Sequence, residues 1–281
     1  MIVTRFAPSP TGLLHLGHAF AAIAARDAAR SGRFLLRIED IDEGRTREEF
    51  VDAIYEDLHW LGLEWETPML RQSTRFDAYR AALNELEPLL YPCFCTRRDI
   101  AEEIARAGEA PHGPEGPLYP GTCRHLTDVE RSARIASGAS YALRLDVKRA
   151  SEIAGALSFE EHGQGPHGEH GTIEVNPLLF GDVVLARKDI PASYHLAVVV
   201  DDAFQGVNLV TRGNDLFAAT HVQRLLQALL GLPAPAYAHH KLILDEQGRK
   251  FSKRDHAVTL RDLRAHGETP EAIRARFHNG N

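Results

Sequence analysis

The chain reads as an α/β protein built on a parallel sheet, and three observations carry that reading. Apolar strand-like runs alternate with helical ones through its N-terminal third. The same alternation returns in its C-terminal third after a break. Composition, at 44% hydrophobic and 25% charged over 281 residues, is that of a globular protein with enough chain for a sizeable core.

Residues 2–7, "IVTRFA", form a short apolar run ending at Pro8, which predicts a buried strand. An alanine-rich helix is expected over residues 16–30, with Gly32 in "SGR" supplying its C-terminal signal. "RFLLRIED", residues 33–40, predicts a second strand carrying acids at its carboxyl end. From about Thr46, Phe50, Ile54, Leu58 and Leu61 recur at helical spacing and define a core-facing stripe. Strand–helix–strand–helix order implies βαβ units, whose ligands bind beyond the carboxyl ends of the strands. "APSPTG" and "EDID" fall there.

The alternation breaks at "YPCFC", residues 91–95. A charged helix, a Gly/Pro-rich loop and strands such as "SYALRLDV" and "DVVLARKD" follow, so residues 91–191 read as an insertion. The polar, glycine-rich residues 160–171 read as a mobile loop. Residues 1–90 and 192–235 are then two halves of one domain, with "SYHLAVVVDDAFQG", the strand "VNLVTRG" and a helix from "NDLF" in the second. Residues 236–281 hold a further strand, "KLILDEQG", the "KFSKR" loop and two small helices.

A net charge of −7 argues mildly against a surface that grips nucleic acid everywhere, though a local basic face remains compatible with it. No apolar run reaches the ~18–20 residues of a membrane span. The N-terminus lacks a charged segment followed by an apolar one. A cytoplasmic protein is expected, and a monomer by default. Three cysteines, Cys93, Cys95 and Cys123, suit a metal or thiol site better than a disulfide framework. A closed zinc site needs a fourth ligand, for which His125 and His112 are the ordinary chemical candidates. Three buried free thiols are the alternative.

Two short motifs carry chemistry. In "HLGH", His15 and His18 flank Gly17 where a loop becomes a helix. The pair either caps and packs, or joins the unpaired N–H groups and positive dipole of the helix start to hold an anion. "KFSKR", residues 250–254, places three cations and Ser252 on a glycine-preceded loop. That composition suits a clamp on a triphosphate, while a solvated basic turn is the commoner fate of such a run. Their joint presence at opposite ends of an α/β chain favours nucleotide binding.

These two motifs resemble the signatures of class I aminoacyl-tRNA synthetases. Together with "RFAPSPTGLLHLGHA", "LRIEDIDEGR", "YHLAVVVDD" and "GVNLVTRGNDL", they resemble the glutamyl branch of that class, in the family's order over nearly the whole chain. The resemblance implies a Rossmann-type nucleotide-binding domain with an inserted α+β, zinc-containing subdomain and a short C-terminal helical tail. It also implies that a carboxylate is joined to the α-phosphate of ATP, with Mg²⁺ accompanying the nucleotide. His15, His18, Lys250 and Lys253 would be the catalytic residues, and Gly17 and Ser252 further nucleotide contacts. Such chemistry asks for positioning and preorganised charge rather than a covalent nucleophile.

By the same resemblance, Arg5 and Arg212 match the arginines that meet L-glutamate, Glu39 matches the acid that meets its amino group, and Ser9 and Tyr194 match further pocket positions. An arginine fork binds a carboxylate with direction as well as charge. Apart from the family, Arg5 and Glu39 would read as a salt bridge near a strand end. The chain departs from the family at Val198, where asparagine is common. "CFC…YPGTC" resembles a pattern in which a tyrosine, here Tyr119, completes one structural Zn²⁺ with Cys93, Cys95 and Cys123; His125 ranks second.

Only residues 255–281 follow "KFSKR", where longer glutamyl enzymes carry a helical anticodon-binding region. In that respect the chain resembles the glutamyl-Q tRNA(Asp) synthetases, which attach glutamate to the queuosine base at the wobble position of tRNA(Asp). The alternatives are a standalone glutamyl-tRNA synthetase module charging a tRNA 3′ end, a small-molecule nucleotidyltransferase, and a non-catalytic paralogue.

Overall fold

Residues 1–107, 112–114, 116–188, 190–243 and 258–278 are described by the structure, a computed structural model. In chain order the strands and helices are β1 (Val3–Phe6), α1 (Leu16–Ala29), β2 (Arg33–Ile38), α2 (Glu48–Trp60), β3 (Glu66–Arg71), α3 (Phe76–Leu86) and β4 (Leu90–Cys93). There follow α4 (Arg97–Ala107), β5 (His112–Gly113), β6 (Gly116–Pro117), α5 (Asp128–Ala136), β7 (Ala142–Leu145), α6 (Val147–Ala154), β8 (Ser158–Glu161) and β9 (Gly171–Glu174). The remainder is β10 (Val184–Arg187), α7 (Tyr194–Phe204), β11 (Leu209–Gly213), α8 (Ala219–Leu229), β12 (Ala236–His240), α9 (Leu260–Ala265) and α10 (Pro270–His278).

β1 pairs in parallel with β2, and β2 with β3. β11 pairs in parallel with β12, and β12 with β8. The two groups meet at β1 and β11, where the Asn208 N–H donates to the Val3 carbonyl at 3.1 Å and Val3 N–H to Asn208 Oδ1 at 2.8 Å. Winding therefore reverses between β1 and β11, and a crevice opens at the carboxyl ends of those strands.

Helix α1 packs Ala19, Ala22, Ile23 and Ala25 into the core, and α2 adds Val51, Ile54 and Leu58. Val51 rather than the half-buried Phe50 leads the α2 stripe. The end of α1 differs from expectation. Arg30, the C-cap, takes a positive φ of 53°, and Gly32 has another role. A Cβ on Gly32 would lie 2.0 Å from the Ile2 carbonyl oxygen, so the glycine lets the turn pass against β1.

Within residues 91–191, β10, β7 and β4 form an antiparallel sheet and β5–β6 a hairpin. β8 lies in the same stretch of sequence yet joins the parallel sheet through β12. Glu160 and Glu161, expected in a mobile loop, end that strand. The strand expected at "KLILDEQG" comes earlier, at β12, because the small residues of "AYAHH" hide its pattern. Its last five residues, 244–248, lie outside the described residues. The two small tail helices are α9 and α10, and Leu260, Ile273 and Phe277 pack against the α1–α2 core.

Candidate active site and metal-binding cluster

The start of α1 decides what His15 and His18 do. His15 is the N-cap, and its Nδ1 accepts from Gly17 N–H at 3.1 Å; His18 Nδ1 accepts from His15 N–H at 3.2 Å. A Cβ on Gly17 would stand 3.1 Å from the His15 ring, so the glycine makes room for this cap. With both Nδ1 atoms accepting, each neutral ring carries its proton on Nε2. Capping and anion recognition are therefore compatible uses of the same rings.

Lys250, Ser252 and Lys253 belong to residues 244–257, which lie outside the described residues. Their flanks are placed. His240 stacks edge-on against Phe20 of α1 with centroids 4.7 Å apart, and Thr259 bridges to His15 in antiparallel fashion. The segment therefore leaves and rejoins the described fold beside α1.

A cavity of about 470 Å³ opens at the β1/β11 crevice and is lined by Arg5, Ser9, His18, Glu39, Tyr194 and Arg212. All five residues matched to glutamate recognition line it, together with one of the two histidines. Arg5 is held from behind: its Nε donates to Asp202 Oδ1 at 2.9 Å and its Nη1 to the Thr211 carbonyl at 3.3 Å. Arg37, fully buried, donates to the same Asp202 oxygen at 2.6 Å and reaches Glu39 Oε1 at 3.4 Å. Burial alone would raise the Asp202 carboxyl, but the two guanidiniums hold it below the usual aspartate range. Burial wins at Glu39, which is raised despite Arg37 and Arg5. An incoming cation such as an ammonium would favour its ionised form.

Arg212, on β11, donates from Nε to His239 Nε2 at 3.0 Å, from Nη1 to Gln223 Oε1 at 2.8 Å and Tyr194 OH at 3.3 Å, and from Nη2 to Thr220 Oγ1 at 2.7 Å. Tyr194 opens α7, whose N-cap Ser193 accepts from Leu196 N–H. One turn on, Val198 is buried, and one turn further is Asp202.

Sequence reasoning missed Arg37, Asp202, Glu161 and His239. The legible signal was a charge inside an apolar strand run, Arg37 in "RFLLRI". Apart from Glu39 beside Arg37 and Gly163 beside Glu161, their partners are 27 to 197 positions away in sequence and left no local trace.

The cysteines converge. Cys93 ends β4, Cys123 sits in a short 3₁₀ turn, and the three sulfurs lie within 4.8 Å of one another as free thiols. Cys95 and Cys123 sulfurs are 3.4 Å apart, and Tyr119 OH lies 3.4 Å from Cys93 Sγ and 3.7 Å from Cys95 Sγ. Thiolates at ~2.3 Å from a tetrahedral metal stand about 3.8 Å from each other, so the separations fit one ion. Burial opposes ionisation of Cys123, yet the Phe94 N–H, Tyr119 and the two other thiols bring it down. Cys95, by contrast, is pushed up to about 12 by burial and its neighbour thiol. The cluster can hold a metal ion. His125 is exposed and not among the three clustered residues, and the side chain of His112 lies outside the described residues.

A parallel sheet, with its winding reversed over a charged cavity beside a helix N-terminus, defines a nucleotide-binding α/β protein of the class I synthetase type. Residues 1–278 match the family of class I tRNA synthetases (E and Q), catalytic domain. A glutamyl-Q tRNA(Asp) synthetase of Rhodobacter capsulatus is 50% identical, over 97% of this chain and 98% of its own. One from Nocardia farcinica is 46% identical, over 96% of this chain and 82% of its own. The solved glutamate-tRNA synthetase of Elizabethkingia anophelis superposes with a TM-score of 0.71 at 26% identity, covering 95% of this chain and 54% of that one. The chain thus spans about half the length of that longer enzyme. It belongs to the class I tRNA synthetases of the glutamate and glutamine type, and within them to the glutamyl-Q tRNA(Asp) synthetase family.

Proposed function

We propose that the protein activates L-glutamate with ATP and transfers it to the queuosine base of tRNA(Asp). The observation that carries this reading is relatedness over almost the full length of enzymes named for that reaction. The cavity supports it chemically, offering two buried arginines for carboxylates and Glu39 for an ammonium within one pocket.

In this reading Arg5 and Arg212 meet the carboxylates of glutamate, Glu39 meets its amino group, and Ser9 and Tyr194 complete the pocket. The glutamate carboxylate attacks the α-phosphate of ATP and pyrophosphate leaves. A hydroxyl on the cyclopentene ring of queuosine then attacks the activated carbonyl and AMP leaves. His15 and His18 would donate from Nε2 to phosphate oxygens beside the α1 N-terminus, with Gly17 allowing close approach. Lys250 and Lys253 would supply positive charge to the phosphates, and Ser252 a further hydrogen-bond donor. Mg²⁺ entering with ATP would neutralise phosphate charge. Cys93, Cys95, Tyr119 and Cys123 would hold one structural Zn²⁺ that shapes the RNA-facing subdomain. In this reading the protein would act in the cytoplasm, as a monomer.

Glutamate-dependent ATP–pyrophosphate exchange is expected without tRNA, and its complete absence would reject the activating chemistry. Glutamate transfer is expected to queuosine-containing tRNA(Asp) but not to the same tRNA with guanosine at the wobble position. Equal transfer to both, or charging of a tRNA(Glu) 3′ end, would favour the standalone glutamyl-tRNA synthetase reading instead.

A further inference from the structure

We propose that Glu161 and His239 form a buried relay that aims Arg212 into the cavity, making both of them positioning residues for carboxylate recognition. The inference rests on Arg212 being a carboxylate ligand.

The relay crosses three neighbouring strands. Arg212 and His239 are register partners on β11 and β12, and β12 pairs with β8 at Tyr237 and Glu161. A guanidinium only donates, so the His239 Nε2 that faces Arg212 Nε at 3.0 Å must accept. The imidazole proton then sits on Nδ1, 2.5 Å from Glu161 Oε2. The other Glu161 oxygen accepts from the His239 N–H at 2.9 Å and the Gly163 N–H at 2.8 Å. Three N–H donors thus converge on one carboxylate. They hold it ionised against its burial, while burial and Arg212 keep the imidazole neutral.

The surrounding backbone is shaped to this arrangement. A Cβ on Gly163 would stand 2.1 Å from the His239 carbonyl oxygen, so only glycine lets this loop close over the pair. Glu161 is 0% and His239 2% exposed, and neither lines the cavity, so they act through Arg212. Burying a carboxylate and an imidazole in tandem is costly, and packing alone does not call for it. Its yield is direction. With Nε anchored and Nη1 and Nη2 bonded to Gln223, Tyr194 and Thr220, four of the five guanidinium donors have partners and the plane is set.

Glu161→Gln tests the relay with an isosteric side chain that cannot accept from all three donors. If its NH₂ faces Nδ1, His239 must move its proton to Nε2 and oppose Arg212. Pyrophosphate exchange should then show a KM for glutamate raised about 10-fold, with kcat and the KM for ATP changed less than about 2-fold. His239→Gln can return a carbonyl acceptor to Arg212 and should recover most of the wild-type KM, whereas His239→Leu should not. A purely structural role would lower the melting temperature without splitting the two KM values. Independently of activity, ¹⁵N spectra of histidine-labelled protein should show Nδ1 protonated and Nε2 bare at the resonance that disappears in His239→Gln. A proton on Nε2, or an unchanged glutamate KM in Glu161→Gln, would overturn the relay. Absence of exchange in the wild type would instead reject the glutamate reading while leaving the spectrum to decide the relay.

Discussion

Asp202 is the buried anion on which Arg5 and Arg37 both depend. Replacing it with asparagine keeps the shape and the acceptor oxygen and removes only the charge. Both guanidiniums bond the same Oδ1, at 2.9 and 2.6 Å, in a site where Asp202 is 5% exposed. A charged hydrogen bond contributes ~1.5–3 kcal/mol and a neutral one about 1, so two such conversions cost ~1–4 kcal/mol. Urea denaturation of Asp202→Asn at pH 7.5 should therefore show a lower midpoint by that free energy with an unchanged slope. The pH dependence follows from the sign of the shift. The Asp202 carboxyl is depressed in the folded protein, so its stabilisation is present above the ordinary aspartate range near 4 and lost as pH falls through the lower folded value. The difference between wild type and variant should be flat from about pH 5 to 8 and shrink only in acid. Combining Asp202→Asn with Arg37→Met should cost less than the sum, because the variant then strands one cation rather than two. A loss below about 0.5 kcal/mol, or full additivity with Arg37→Met, would refute the argument that one carboxylate organises both arginines.

Three other outcomes are expected. Asp57, 1% exposed on α2 with neither carboxyl oxygen hydrogen-bonded, is raised to about 6 by burial, against the pull of Arg264 and Arg261. Its raised value makes the protein lose stability as pH rises from about 4 to 6, so Asp57→Asn should flatten that decline and stabilise by ~1–2 kcal/mol at pH 7.5 in urea denaturation. His18→Asn keeps a δ-position acceptor for His15 N–H but removes the Nε2 donor. It should retain the melting temperature while exchange falls by about 100-fold. Cys123→Ser should lower zinc measured by elemental analysis of purified protein, and unchanged zinc content would refute that ligand.

Local signals sufficed for much of the fold. The strand that became β1, helix α1 and the α2 stripe are short-range patterns of apolar spacing, and each stands within a few residues of its expected bounds. They failed where a residue's partner is remote. β8 joins the parallel sheet from within a stretch read as an insertion, because strand pairing depends on what arrives beside it rather than on its own four residues. The role of Gly32 changed for the same reason, its constraint being the Ile2 carbonyl across the turn.

By itself the sequence determined the chemical vocabulary: a histidine pair at a helix start, arginines and an acid at strand ends, and three cysteines with a tyrosine. Such motifs are legible because helix caps, turn glycines and ligand types are set by neighbouring residues. Only tertiary structure decided how those groups are held. It brought Arg5, Glu39 and Arg212 to one cavity, placed Asp202 behind one arginine and His239 with Glu161 behind the other, and drew Cys123 to Cys93. Orienting a buried charge requires partners from other strands, since a strand's own neighbours point to the opposite face of the sheet.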